Sequence, residues 1–412
     1  MPERASVVVT GIGVVSPLGS MPAFWERLTR GADGLGPLEG CDAGPAPPRL
    51  GAHVREWDPR AHVPAALLRR MDRLSRMIVS ACRMAVADAA LDLAGGGAAE
   101  IGIVVGTAYG NVSESEQIIR GLVTKGRANP LTFPNTVLNA HAGYAAMDLG
   151  LQGPNLTVAR GEASGEGAVA LAHDMIAAGQ ADVLLTGGGD EIAPILFHVF
   201  KDLGLLSPAG GRGGREWSSP FDRDRNGFVM GEGAAILVLE RREHARVRGA
   251  RVYAELAGYA TQSVPASPHD WPAPGAAAPD ELVRQLAALG WHAGRGTDLV
   301  ISGANSTPRL DAFEAAHLAA LLAPAAGRTL VTSIKGSVGE FGAAGALAAA
   351  AGALAIHTGE PPRLGALRAP DPTCDLRLAT PDCIAPAGGF DHALVSITPR
   401  GGGCLTLLLR CP

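Results

Sequence analysis

Apolar residues fall along this chain in two rhythms. Short, nearly continuous runs rich in Val, Ile and Leu mark strands buried on both faces, and longer runs with apolar positions three and four apart mark helices. The strand runs are residues 6–11, 101–106, 155–158, 181–188 and 234–239, then 252–256, 298–302, 329–334, 394–397 and 405–409. Helical spacing fills most of the gaps. One helix is capped by Ser20, carries Phe24, Trp25 and Leu28 on one face, and ends at Gly31. A long one covers 65–93, with Leu74, Ile78, Cys82 and Ala85 in register. Others cover 113–125, 135–149, 163–178, 311–322 and 342–356, and Pro279 and Asp280 open one more. Segments 41–48, 207–215 and 263–278 lack periodicity and read as loops, the last long enough to be functional or mobile. Strands alternating with helices throughout predict an α/β architecture with helix-covered sheets. The two halves, residues 1–250 and 251–412, share this style, as an ancient duplication would leave them.

Composition narrows the functional classes. The chain has 412 residues, 47% hydrophobic and only 18% charged, enough for a large core. A net charge of −5 and few aromatics give neither a basic footprint nor stacking platforms, so no nucleic acid partner is expected. The apolar run at 342–356 is too short to span a bilayer and reads as a buried helix, so no membrane association is expected. The N-terminus runs straight into a strand pattern without a signal peptide. Six cysteines lie scattered with no C-x-x-C and read as reduced thiols; no metal site and a cytoplasmic location are expected. Arg69, Arg70, Arg73, Arg76 and Arg83 on the 65–93 helix read as a solvated face, with a carrier-protein contact as the alternative.

The stretch with candidate chemistry is GPNLTVARGEASGEGAVALAHDMIAAG, residues 153–179. It reads as a strand, a sharp turn at Arg160, Gly161 and Glu162, and an Ala-rich helix. Residue 162 stands at the helix mouth, where free N–H groups and the positive dipole end point outward. An acyl-transfer enzyme places its nucleophile there, because the same N–H groups hold an oxyanion. Glu162 is electrostatically comfortable in that position, but a carboxylate accepts acyl groups poorly compared with a thiolate. A buried carboxylate needs a partner or a proton. Arg160, two residues earlier, either pairs with it or faces the surface. His141 and His173 lie in helical runs and read as ordinary helix residues.

The motifs GPNLTVARGEASG at 153–165, WSSPFDRDRNGFVMGEGAAILVLE at 217–240 and VVVTGIGVVSPLG at 7–19 resemble a β-ketoacyl synthase. So do RMDRLSRM at 70–77, GARVYAELAG at 249–258, and NSTP with SIKGSVGEFGAAGA within 305–346. The resemblance covers essentially the whole chain, in order. It implies the thiolase fold: duplicated βαβ-type halves stacked as five αβαβα layers, working as a dimer. It also implies where the Cys-His-His residues would stand. The Cys position holds Glu162, the first His position, before A-N-S-T-P, holds Gly303, and the second, in K-G-S-V-G-E, holds Glu340. Lys335 is retained, and the gating Phe near the C-terminus is replaced by Arg400. No catalytic residue is therefore expected. The chemistry needs a thiolate to take the acyl chain and imidazoles to stabilise the enolate, and Glu340 would put negative charge where that enolate forms.

Chains of this kind resemble the chain length factor, or ketosynthase β subunit, of type II polyketide synthases. The resemblance implies a non-catalytic subunit that heterodimerises with a Cys-containing ketosynthase α subunit and shapes the polyketide tunnel. No cofactor is implied; 4′-phosphopantetheine arrives on an acyl carrier protein. The implied tunnel and interface positions are Val112, Ser115 and Ile119, on one helix face, with Phe133 and Thr136 in the segment TFPNT. None of the first three is a large aromatic, which implies a less obstructed tunnel. Chain length factors of aromatic systems usually carry Gln at the elbow, so Glu162 leaves aromatic and reduced, polyene-like products both open. One alternative is a malonyl-carrier-protein decarboxylase supplying starter units. Another is a free-standing enzyme using Glu162 as general base.

Overall fold

The predicted strand runs all form strands, and their order explains the two-halved style of the sequence. The computed structural model describes residues 5–41, 49–94, 97–210, 216–323, 325 and 327–412. Residues 42–48 and 211–215 of two expected loops lie outside this set. In chain order the strands are β1 (Val7–Val15), β2 (Gly36–Pro37), β3 (Leu50–Gly51), β4 (Gly102–Gly106), β5 (Asn155–Val158), β6 (Val183–Asp190) and β7 (Gly233–Arg241). The second half adds β8 (Ala254–Ser263), β9 (Asp298–Ser302), β10 (Leu330–Thr332), β11 (Arg377–Leu378), β12 (His392–Ile397) and β13 (Gly403–Arg410). β2 and β3 pair with each other, and the other eleven form one sheet in the order β11-β10-β9-β12-β13-β8-β1-β7-β6-β4-β5.

That order is one motif used twice. Numbering β1, β4, β5, β6 and β7 one to five, the first half reads 3-2-4-5-1 from its edge. Numbering β8, β9, β10, β12 and β13 in the same way, the second half also reads 3-2-4-5-1, with β11 added outside. The strand senses repeat too: third, second and fourth are parallel, and fourth-fifth and fifth-first are antiparallel. The two first strands meet through Val7–Leu256, Val8–Glu255 and Val9–Ala254, a short seam that joins the halves.

In each half the third strand leads into a central helix. These helices, Ser164–Ala177 and Ala344–Thr358, pack on each other and on strands of both halves. Small residues permit this approach. A Cβ on Gly165 would lie 2.6 Å from the Ala346 nitrogen. Around them Val104, Ile176, Leu237, Leu347, Val395 and Leu407 make the innermost core. Outside the first half, Leu74, Ile78, Cys82 and Ala85 of the Arg73–Asp88 helix pack on the sheet. Outside the second, Leu282, Leu286 and Leu318 pack with Val300 and Leu394. The layering is therefore helix, sheet, helix, sheet, helix.

Four helix expectations change. The 65–93 run divides into Ala65–Leu68 and Arg73–Asp88. Between them Asp72 caps the second helix, accepting from the Ser75 N–H at 2.8 Å, and ends the first periodicity without breaking its apolar rhythm. The 135–149 helix starts only at Ala140, after a 3-10 turn at Phe133–Thr136. The first helix is Ala23–Thr29, with Pro22 and not Ser20 at its N-cap. A further helix, Pro194–Asp202, lies where no element was expected. All six cysteines are unpaired. Among the described residues no helix is long and apolar enough to cross a membrane.

Candidate functional site

The elbow forms where β5 runs into the first central helix. Gly161 takes φ +56°, the left-handed region that glycine enters without strain. Ser164 closes the turn: its Oγ accepts from the Arg160 N–H at 2.9 Å and donates to the Gly161 carbonyl at 2.7 Å. The turn sends Glu162 inward and leaves Arg160 exposed. Arg160 is thus not the partner of Glu162. That partner is Arg400, from the turn before β13. Its Nε donates to Glu162 Oε1 at 2.6 Å and its backbone N–H to Oε2 at 3.1 Å. Arg400 Nη2 also donates to the Tyr109 phenol oxygen at 2.9 Å. The guanidinium lies 5.4 Å from the Phe200 ring centroid and 6.0 Å from that of Trp271. Burial opposes its charge, but Glu162 and then Tyr109 outweigh this and hold its pKa above the usual value. Burial, then the Glu162 carboxylate, pushes the Tyr109 phenol up, so it stays protonated. The 263–278 segment contributes Trp271, which is buried, and braces the Arg400 turn through a Gly401 N–H bond to the Asp270 carbonyl at 3.0 Å.

A second ionic group lies in the other half. Lys335 Nζ donates to Glu340 Oε2 at 2.9 Å and Oε1 at 3.1 Å, and Asn305 Nδ2 donates to Oε2 at 2.8 Å. Both charged side chains are buried. Burial pulls the Lys335 ammonium down, but Glu340 more than offsets it and keeps the lysine charged. At Gly303 the space a side chain would need is taken. A Cβ there would lie 2.4 Å from Ile397 Cδ1 and 3.1 Å from the Ile397 Cα.

Glu166 joins these groups, although the sequence reading passed over it. Its signal was a carboxylate one turn after Glu162 in an otherwise Ala- and Gly-rich helix. It is buried, and its Oε2 has no hydrogen-bond partner. Its carboxyl carbon lies 1.7 Å from where a Cβ on Gly345 would stand, so only glycine leaves it room. Burial pushes it up to about 7. Asp190, at the end of β6, ties the halves together. It accepts from Thr107 Oγ1 at 2.6 Å, the Ala108 N–H at 3.0 Å and the Ala343 N–H at 2.8 Å.

These buried acids set a pH dependence. Burial raises Glu166, Glu191 and Asp311 to about 7 and Asp190 to about 6. The folded chain therefore keeps protons that the unfolded chain sheds, and stability falls as pH rises from the usual carboxylate range through about 7. Burial works against Glu232, but Arg73 and His53 prevail and hold it at about 2, so its contribution is lost only as pH falls below the usual carboxylate range. Scanning calorimetry is expected to find the highest melting temperature near pH 5 and a decline toward pH 8. Glu166→Gln should flatten that decline and raise the melting temperature at pH 8.

The implied tunnel residues lie on one flank. Val112, Ser115 and Ile119 all fall in the Val112–Lys125 helix, the first two half-buried and Ile119 60% exposed. Tyr109, just before this helix, links its start to Arg400. A cavity on the flank is bordered by Gln117, Ile118, Gly121, Arg127 and Pro130, so it opens beside the implied residues and not between them. Phe133 is 63% exposed, and Thr136 is half-buried with its hydroxyl donating to the Phe133 carbonyl at 2.8 Å. Val123 and Leu131 are more than 80% exposed, and β5 is the end strand of the sheet, with Leu156 exposed. Of the expected solvated arginines, Arg73 instead pairs with buried Glu232 and Arg83 with buried Asp148. His141 is buried, and burial lowers it to about 4, so it is neutral. His173 packs edge-on against Tyr259.

Residues 4–245 match the family described as "Beta-ketoacyl synthase, N-terminal domain", and residues 253–366 match "Beta-ketoacyl synthase, C-terminal domain". The 3-oxoacyl-[acyl-carrier-protein] synthase 2 of Synechocystis sp. is 34% identical over 382 residues, 91% of each chain. A putative polyketide beta-ketoacyl synthase 1 of Streptomyces halstedii is 38% identical over 388 residues, 90% of each. Among solved structures, the ishigamide ketosynthase/chain length factor superposes with TM-score 0.88 at 28% identity, covering 99% of this chain and 100% of that one. AntDE:AntF, a type II polyketide synthase acyl-carrier protein in complex with its ketosynthase, gives TM-score 0.86 at 26% identity with the same coverage. With both domains matched in order across the doubled five-layer architecture, the chain belongs to the β-ketoacyl synthase family and has the thiolase fold.

Proposed function

We propose that this chain is the non-catalytic chain length factor of a type II polyketide synthase. It pairs with a ketosynthase that carries the nucleophilic Cys, and it lines the tunnel into which the polyketide grows. The carrier protein brings the chain to the pair on its 4′-phosphopantetheine arm, and this subunit needs no cofactor of its own. The observation that carries the reading is the state of the three reactive positions. Glu162 is bound by Arg400, Gly303 is packed against Ile397, and Glu340 is bound by Lys335 and Asn305. No thiolate can form, and no imidazole can face an enolate. The exposure of Ile119, Val123, Leu131 and Phe133 within one stretch of the chain supports a partner, because grouped exposed apolar side chains mark interaction surfaces. The likeness to the ishigamide ketosynthase/chain length factor supports the same reading. The decarboxylase alternative gains no support. It needs donors for a developing enolate, and position 340 offers a carboxylate while position 303 offers no side chain.

Native mass spectrometry of the chain, affinity-purified from the organism that makes it, tests the proposal. A complex with one ketosynthase-like chain that retains its Cys is expected; a homodimer or a lone monomer would overturn it. In the reconstituted pair, Ser115→Phe or Ile119→Phe should shorten the products without stopping turnover, as read by mass spectrometry of the released chains. Products of unchanged length would remove these residues from the tunnel.

A further inference from the structure

Arg400 covers the Glu162 carboxylate at the elbow, donating to both of its oxygens. We propose that it is a plug, held in place jointly by Glu162, Tyr109 and the rings of Phe200 and Trp271, that closes this chain's elbow to an extended thioester arm. Carrier-borne chains then enter the complex only through the partner's site; that consequence rests on the partner-subunit reading, and the plug itself does not.

Four separate parts of the chain converge on this one side chain. The elbow supplies Glu162, the segment before the Val112–Lys125 helix supplies Tyr109, the Pro194–Asp202 helix supplies Phe200, and the 263–278 segment supplies Trp271. Its side chain is only 15% exposed. A lone surface arginine would sample many rotamers, whereas this one is held by two charged or polar acceptors and two aromatic faces. The turn that carries it is also fixed. Gly401 and Gly402 adopt φ +85° and +79°, so both occupy the left-handed region. The Gly401 N–H donates to the Asp270 carbonyl at 3.0 Å, and the Gly402 carbonyl accepts from the Val264 N–H at 2.8 Å. Withdrawing Arg400 would strip the buried Glu162 side chain of the two hydrogen bonds that Arg400 donates to it, which favours the seated plug. A short neutral residue at position 400 could neither reach Glu162 nor fill the space between the rings.

The test uses the full chain with whatever partner copurifies. Glu162→Cys places a thiol at the elbow and leaves Arg400 its Tyr109, Phe200 and Trp271 contacts. Glu162→Cys/Arg400→Ala removes the plug as well. Each protein is treated with iodoacetamide, a small probe, and with chloroacetyl-pantetheine amide, a long one, and alkylation at residue 162 is followed by peptide mass spectrometry. The ratio of long-probe to small-probe rates cancels differences in thiol reactivity. That ratio should rise at least tenfold when Arg400 is removed; an unchanged ratio would overturn the plug. A second measurement needs no thiol. In Glu162→Gln, amide hydrogen exchange at Gly401 and Gly402 should quicken at least tenfold over the unmodified chain, and equal rates would show that Glu162 does not hold the turn. Native mass spectrometry of the same samples reports the partner separately. A working plug in a chain with no ketosynthase partner overturns the traffic consequence alone.

Discussion

Glu340→Ala leaves the Lys335 ammonium buried without its counter-charge and should destabilise the chain by about 3–5 kcal/mol. Lys335 and Glu340 are both buried and joined by two hydrogen bonds, and Asn305 completes the carboxylate's partners. Differential scanning calorimetry at pH 7 would read this as a fall of roughly 3–6 °C. Part of the loss should be recovered from inside the site. Glu166 lies close enough to Lys335 to feel its charge and titrates at about 7, so it can ionise and take over as counter-ion. The double variant Glu340→Ala/Glu166→Gln is therefore expected to be less stable than the sum of its single changes. Replacing both members of the pair with apolar residues, as in Lys335→Met/Glu340→Leu, should restore most of the stability, because no charge is then left unmatched. A Glu340→Ala variant that melts with the parent would show that Lys335 finds another partner.

Gly303→His is expected to be nearly as damaging, for a steric reason. An alanine there needs Ile397 to turn its Cδ1 aside and its backbone, with the Ser396 carbonyl, to give slightly, and should cost about 1–2 kcal/mol. An imidazole must displace the Ile397 side chain and press on its backbone, with a cost of about 3 kcal/mol or more. Soluble yield and melting temperature should fall in that order. It follows that Glu162→Cys/Gly303→His/Glu340→His will not produce a condensing enzyme in an assay with malonyl-carrier protein. The triple change strands Arg400 and Lys335 and forces a ring into filled space. Measurable condensation by this variant would show that the three positions can hold a working Cys-His-His set.

The sequence carried the α/β class, the strands and the elbow, because these depend on short-range pattern, whereas the five-layer stacking was implied only by the family resemblance. Residues 155–158 and 298–302 are strands with the expected bounds, since a run of β-prone residues between turn signals constrains itself locally. The elbow follows from glycine at 161 and the small residues behind it. What the sequence hid is long-range. Arg400 is 238 positions from Glu162, and nothing local in either segment names the other. Arg160 was the nearer cation, but the left-handed Gly161 turns it the opposite way. Ile397 closing on Gly303 is also a contact between strands' ends that no spacing rule predicts. The break at Asp72 was missed because Met71 and Leu74 keep the apolar rhythm across it, while only the cap reveals a new helix. The duplication, faint as sequence, is unambiguous as topology, because strand order is preserved long after side chains have diverged.

The open edge of β5 and the exposed apolar residues Ile119, Val123 and Leu131 bear on how the protein must be made. If the chain works as a partner subunit, any excess of it would hold an unpaired strand edge and residues such as Leu131 in water, both of which invite self-association. Dosage is therefore part of the design. On that reading, cells are expected to produce the two chains in matched amounts, and a heterologous host that expresses this one alone should fill with inclusion bodies.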